Sequence, residues 1–266
     1  MAGVLVAGRP VARRGLVLAG AGFLCGCGAQ HALPQPAGME LAAAQRAIGA
    51  APPLRRHDRP EAEQAAMLGR VAARVAEASD PMCRRYLDGP CRFAVALARS
   101  DEVNAFASEG PAVTVTSGLL GVVENDAELA AVVAHEYGHH LARHLARAGT
   151  RMRLGAVIGS LVGGYLAGPL GSEAGGRLAG GAARLAYSQE EEREADYLAA
   201  FMVHRAGYGL EEAGRVWVRL AQAAGRADAP GLISTHPTGP QRLAAWRNTV
   251  AEIGAQPPGE AMPRLA

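Results

Sequence analysis

Two histidines four residues apart, with a glutamate beside the first, give this sequence its clearest chemistry: His135-Glu136-Tyr137-Gly138-His139. On a helix, residues four apart share a face, so both imidazoles can reach one ion. Glu136 is then set to hold a water beside that ion rather than the ion itself. Hydrolysis needs this pairing, because zinc lowers the pKa of a bound water toward neutrality and a nearby carboxylate takes its proton during attack on a carbonyl. A match this short arises by chance in on the order of one chain in a hundred of this length. A catalytic zinc also needs three protein ligands, so the reading depends on finding a third.

The acidic run Ser188-Gln189-Glu190-Glu191-Glu192-Arg193-Glu194-Ala195-Asp196 offers one. Glu192 and Asp196 share a face at i, i+4; one can bind the metal while the other hydrogen-bonds a ligand imidazole and fixes its tautomer. The plainer account is a solvated acidic helix start favoured by the helix dipole. That account is sufficient for Glu190, Glu191 and Glu194.

Taken in order, His135-Glu136-Tyr137-Gly138-His139 with Arg143-His144, then Glu192-Arg193-Glu194-Ala195-Asp196, then Ser234-Thr235-His236-Pro237 with Arg242, resemble the HtpX-like and BepA-like zinc metallopeptidases. That family also includes the CAAX prenyl proteases and the mitochondrial inner-membrane quality-control protease. The resemblance implies one Zn2+ per chain held by His135, His139 and Glu192, with Glu136 as general base and later proton donor. Asp196 becomes the partner of a ligand imidazole. His236 falls where the family has a histidine that stabilises an oxyanion or, at rest, approaches the zinc, and a donor aimed at developing negative charge is what the tetrahedral intermediate needs. Arg242 positions that segment, contributes charge, or is a surface arginine on an amphipathic helix. His140 is expected to point away from the metal, and Arg143 and His144 to be structural. The family also implies a zincin-like domain in which the motif helix packs on a short sheet and an edge strand, here residues 113–116, lines the cleft. An extended substrate could add to such an edge by backbone hydrogen bonds, which suits unfolded chains.

The elements that must position these residues read as mainly α with a small β-sheet, an α+β fold. With 49% of its 266 residues hydrophobic, the chain can bury one sizeable core. Met67, Val71 and Val75 recur at helical spacing over residues 61–79, and Asp80-Pro81 ends the pattern. Strands are expected at 93–98 and 112–116, with Asn104-Ala105-Phe106 between them. Asn125 and Glu128 make a capping box for the motif helix, which should run to Arg147 and stop at Gly149. Residues 154–170 are apolar and Gly-rich and read as a small-residue helix or a mobile loop over the site; Arg153 and Pro169 argue against a stable membrane span. Helices follow at 190–204, 211–224 and 240–253. The catalytic domain is thus residues 61–255, preceded by a Pro/Ala-rich tether at 27–60 and followed by a tail at 256–266.

The N-terminus supplies an address. Arg9, Arg13 and Arg14 precede an apolar stretch at 15–24 that is too short to span a bilayer, which reads as a signal peptide over residues 1–26. Leu24-Cys25-Gly26-Cys27 resembles the bacterial lipobox, making Cys27 the lipid-bearing residue; the alternative is ordinary cleavage and release. In the periplasm Cys83 and Cys91, around the turn-like Leu87-Asp88-Gly89-Pro90, could form a disulfide. A formal charge of +2 without long charge runs gives no reason to expect a nucleic-acid partner. The reading is therefore a periplasmic zinc metalloendopeptidase, lipid-anchored at the outer membrane, acting on misfolded or unassembled envelope proteins. A chaperone or assembly factor for outer-membrane proteins with latent protease activity is the alternative, working beside the envelope assembly machinery. A purely structural zinc protein has no use for Glu136.

Overall fold

The computed structural model describes residues 29–87, 89–182, 187–224, 236, 238–257 and 259–266. The signal segment and Cys27 lie outside them, as do Ser234, Thr235 and Pro237.

The apolar stripe of Met67, Val71 and Val75 is buried along helix α2 (Glu61–Tyr86). This helix overruns its expected end. Pro81 gives up only the bond to the carbonyl of Glu77, a residue on the exposed side, while Met82 and Cys83 beyond it are fully buried. A disulfide joins Cys83 to Cys91 and ties the end of α2 to the chain entering the sheet.

Strands β1 (Ala94–Ala98), β2 (Ala105–Ser108) and β3 (Ala112–Thr116) form a sheet in the order β1-β3-β2. Val113 pairs with Val95 in parallel register, and Val115 with Ala105 in antiparallel register. The strand expected at the edge is therefore the central one, because both of its sides are taken. The edges are β1 and β2. Strand β2 escapes sequence reading because Ala105-Phe106-Ala107-Ser108 contains one strong β-former and no alternating pattern. Thr116 leaves β3 as the cap of a short helix, α3 (Ser117–Leu120), accepting from the Leu119 amide.

The motif helix is α4 (Asp126–Leu141). Its cap Asn125 accepts from the Glu128 amide at 3.0 Å, but Glu128 reaches back to the Glu124 amide rather than to that of Asn125, so the box is shifted by one residue. Helix α6 (Gln189–Arg205) closes a full box between Ser188 and Glu191. The two helices cross at Gly138, where a Cβ would come within 2.7 Å of the Ala195 carbonyl oxygen. Only a glycine permits that approach.

Helix α4 ends earlier than expected. Ala142 and Arg143 form a turn in which Arg143 takes a φ of 55°, and the chain restarts as α5 (His144–Ala182), with Gly149 inside it rather than stopping it. Non-helical angles at Ala167 and Gly168 fold α5 into two arms, 144–166 and 169–182, and Pro169 opens the second. Helices α7 (Leu210–Ala213) and α8 (Arg215–Ala224) are separated at Gly214, where a Cβ would meet the Trp246 indole nitrogen at 2.5 Å. The last helix is α9 (Pro240–Gly254).

Residues 29–60, expected as a tether, lie along the domain. Helix α1 (Gly38–Ala50) packs on α8 and α9. His31 is buried, and Ala32 and Ala266 exchange backbone hydrogen bonds with Arg264 and Gln30, which brings the C-terminal residues into the same layer. The prolines prevent one long helix without preventing packing.

Replacing Gly138 by Ala should destabilise the fold by about 1–3 kcal/mol, because the Ala195 backbone cannot move aside as a side chain would. Gly149→Ala, whose added Cβ meets nothing within 4 Å, is the control. Thermal unfolding followed by circular dichroism should show a lower Tm for the first variant and not for the second.

Candidate metal centre

One turn of α4 brings His135 and His139 together with their Nε2 atoms 3.1 Å apart. Across the Gly138 crossing, Glu192 presents Oε2 at 3.4 Å from His135 Nε2 and Oε1 at 3.4 Å from His139 Nε2. His236 approaches from the chain before α9, its Nδ1 3.3 Å from His135 Nε2 and 2.9 Å from Glu192 Oε1. All four residues are buried. A tetrahedral zinc with bonds of about 2.0–2.1 Å has ligand-to-ligand edges of about 3.3 Å. The separations above, 2.9–3.4 Å, are of that size, and one ligand atom from each of the four residues lies within 4.8 Å of the others.

Charge points the same way. Glu136, Glu192 and Asp196 are buried carboxylates, faced by the one buried guanidinium of Arg242. Two negative charges are left over, the complement of a divalent cation. The surplus is felt at His135: burial and Arg242 both disfavour its protonation, yet Asp196 and Glu192 hold its pKa up at about 9. The residues present therefore fit a divalent metal.

Each imidazole is fixed from behind. His135 Nδ1 donates to Asp196 Oδ1 at 2.8 Å, an assignment that follows from the carboxylate being acceptor-only and that leaves the Nε2 lone pair for a metal. Asp196 in turn accepts two bonds from Arg242, Nε and Nη2, at 2.7 Å each. Arg242 also sets Nη1 2.9 Å from Glu192 Oε2 and lies 4.4 Å over the Trp217 ring. It is thus a buried clamp between the two carboxylates and not a surface residue.

His139 is held by a longer chain. Its Nδ1 lies 2.8 Å from His144 Nδ1, and His144 Nε2 lies 3.1 Å from Glu194 Oε2. With Nε2 of His139 kept for a metal, His139 donates to His144 and His144 donates to Glu194. Glu194 also accepts from Arg147 at 2.9 Å, from His31 at 2.7 Å and from the Gln30 amide at 2.5 Å. Burial raises the Glu194 pKa, but these donors outweigh it and hold the carboxyl well below the usual range. Glu191 is likewise buried, paired with Arg151 at 2.6 Å. A solvated helix start therefore describes Glu190 but neither Glu191 nor Glu194.

Glu136 Oε2 and His236 Nε2 are buried with no hydrogen-bond partner among the described residues, and Glu136 Oε1 lies 3.7 Å from His236 Nε2. His140 turns away, as expected, to the Ala112 carbonyl at 3.0 Å. Tyr187 stacks on His139 with ring centroids 3.8 Å apart. Nothing in its local sequence marks it, since it precedes the Ser188 cap. Ser108, Glu109 and Gly110 line a cleft of about 450 Å³ with His139, His140 and Arg153, so the strand edge beside the site belongs to β2.

Residues 62–250 match the description "Peptidase family M48". The chain is 34% identical over 153 residues to the mitochondrial metalloendopeptidase OMA1 of Arabidopsis thaliana, covering 56% of this chain and 30% of that protein. It is 32% identical over 170 residues to the beta-barrel assembly-enhancing protease of Yersinia pestis, covering 60% and 35%. OMA1 of Saccharomyces cerevisiae is 33% identical over 161 residues, covering 58% and 46%. The chain thus spans less than half the length of these relatives. A match over most of its length, with the motif helix, the second-helix carboxylates and Arg242 all inside it, means that this chain belongs to peptidase family M48.

Proposed function

We propose that this protein is a zinc-dependent metalloendopeptidase of the bacterial envelope that cleaves misfolded or unassembled proteins. The observation that carries the reading is Glu136: a buried carboxylate with one oxygen that has no partner among the described residues, beside a donor set it does not join. A structural metal site has no need of it. His135, His139 and Glu192 would hold the zinc, which when bound supplies the Lewis acidity that acidifies a water and polarises a peptide carbonyl.

Glu136 takes the proton from the attacking water and returns it to the leaving amine. Asp196 and Arg242 keep His135 in the tautomer that ligates, and the His144–Glu194 pair does the same for His139. His236 Nε2, moved slightly from its present seat, can donate to the developing oxyanion. The edge of β2 offers backbone groups to an extended chain, which favours unfolded substrates over any one sequence. The N-terminal signal-like segment, with Cys27 as the lipid-bearing residue, supports a periplasmic, membrane-attached address. The name of the Yersinia relative supports work beside envelope assembly.

One observation favours a second reading. His236 Nδ1 lies 3.3 Å from His135 Nε2 and 2.9 Å from Glu192 Oε1, within reach of the same ion and in the way of an entering substrate. That arrangement suits an assembly factor or chaperone whose proteolysis is held latent.

Glu136→Gln should retain zinc and lose casein cleavage by roughly 10²–10⁴-fold; equal cleavage by the two proteins would sink the mechanism. His236→Ala separates the readings: faster cleavage marks His236 as a plug, whereas a loss of roughly tenfold or more marks it as an oxyanion donor. Glu194→Gln should weaken zinc affinity about 10–100-fold in a chelator competition, through misorientation of His144 and His139. Unchanged affinity would confine Glu194 to a packing role.

A further inference from the structure

The arms of α5 carry an apolar surface that no other part of the described residues covers. Leu154, Val157, Ile158, Leu161, Val162, Tyr165 and Leu166 on the first arm, and Leu170 and Leu178 on the second, are all exposed. The most exposed are at the tip: Tyr165 at 90%, Leu170 at 81% and Leu166 at 75%. Residues 154–172 contain no charge. By length and composition alone, α5 is also long and apolar enough to cross a membrane.

The geometry does not let it cross. Gly163 packs on Gly171, and Gly159 on Gly175, so closely that a Cβ on Gly163, Gly171 or Gly175 would overlap the facing backbone. These contacts pin the arms antiparallel, and the turn at Ala167-Gly168 brings the chain back. From Arg153 to Leu166 is thirteen residues, a reach of about 20 Å, against a hydrocarbon core of about 30 Å. The glycines face inward, so helical periodicity turns the Leu154-Ile158-Leu161-Tyr165 stripe directly away from the second arm. The Glu173–Arg177 ion pair lies on the opposite outer face of that arm. The outer face of the first arm is wholly apolar, whereas the second arm carries Glu173 and Arg177 beside the exposed Leu170 and Leu178.

We propose that this hairpin docks on a phospholipid bilayer, seating the outer face of its first arm and its tip among the acyl chains, with Glu173 and Arg177 turned to water. Small residues bring its arms together without any help from water, as helices pack in lipid. The start of the described chain agrees with this orientation. Ala29 and Gln30 are hydrogen-bonded to Glu190 and Glu194, and Glu194 is bonded to Arg147 at the hairpin's base. Cys27, read above as the lipid-bearing residue, stands only two positions before Ala29 in the sequence. The cleft by His139 is walled by the first turns of α5, including Gly149 and Arg153, so docking sets it at the membrane surface.

The test uses the mature chain, residues 27–266, with Cys27 replaced by Ser and Leu166→Cys carrying an environment-sensitive fluorophore, bound to phosphatidylcholine–phosphatidylglycerol vesicles. The expected result is blue-shifted emission, quenching by lipids brominated on their acyl chains and protection from aqueous iodide. A label at Glu173→Cys should stay open to iodide. Leu161→Asp combined with Leu170→Asp should abolish the shift at Leu166 and lower vesicle partitioning about tenfold, while zinc binding is unchanged. A Leu166 label that remains accessible to iodide on vesicle-bound protein overturns the proposal. So does a shift that needs no vesicles and grows with protein concentration, which would make the face a contact between copies.

Discussion

Three buried carboxylates facing one guanidinium are the constraint around which the rest of the domain is arranged. Burying unpaired charge is among the costliest things a protein can do, and Glu136, Glu192 and Asp196 can be tolerated only if their partners are held with little freedom. Arg242 supplies two parallel bonds to Asp196 and a contact with Glu192, and it is itself fixed over Trp217. The closeness of α4 and α6 at Gly138 brings the carboxylates of one helix within reach of the imidazoles of the other. A divalent cation balances what remains, so metal binding and folding stability are linked: a ligand that binds only the folded state stabilises it.

Outside this first group lies a second, separately balanced one. Glu194 is satisfied by His31, the Gln30 amide, His144 and Arg147, drawn from the N-terminal strap, the turn after α4 and the first turns of α5. The left-handed conformation of Arg143 is what makes this possible, because a straight continuation of α4 would carry His144 away from His139. The strap is consequently part of the support of the site, even though its sequence reads as a linker. Its own fixation comes from the C-terminal residues, through Arg264 and Ala266.

What was legible in the sequence follows from range. Helices α2, α4, α6 and α9 announce themselves by apolar spacing and local caps, and the i, i+4 pairs His135/His139 and Glu192/Asp196 need only helical geometry to be paired. The match of those pairs to each other came from family resemblance, since no local rule relates residues so far apart. Errors arose where tertiary contacts override a local signal. Pro81 has the form of a stop, yet burial of Met82 and Cys83 carries the helix past it; Gly149 has that form too, yet lies inside α5. Strand β2 has too little β-propensity to be seen, and missing it moved the edge of the sheet onto β3. Glu194 and Glu191 carry no mark distinguishing them from Glu190, because burial of an acidic residue is decided by cations contributed from other elements.

The same device, a glycine that lets two backbones touch, is used twice with opposite surroundings. At Gly138 the crossing is enclosed by core, and the neighbours' burial in water's absence stabilises it. At Gly159, Gly163, Gly171 and Gly175 no other described element encloses the crossing, and the side chains flanking it on the first arm are exposed and apolar. In water such a hairpin would gain little from association of its arms while leaving an apolar face much larger than scattered surface leucines explain. In hydrocarbon the accounting reverses: the outward face is solvated by lipid, and close backbone packing is what holds helices together there. The two glycine crossings thus divide α5 from the rest of the domain by solvent as well as by sequence. Helix α5 begins beside His139 and ends its first arm where water is no longer the preferred surroundings.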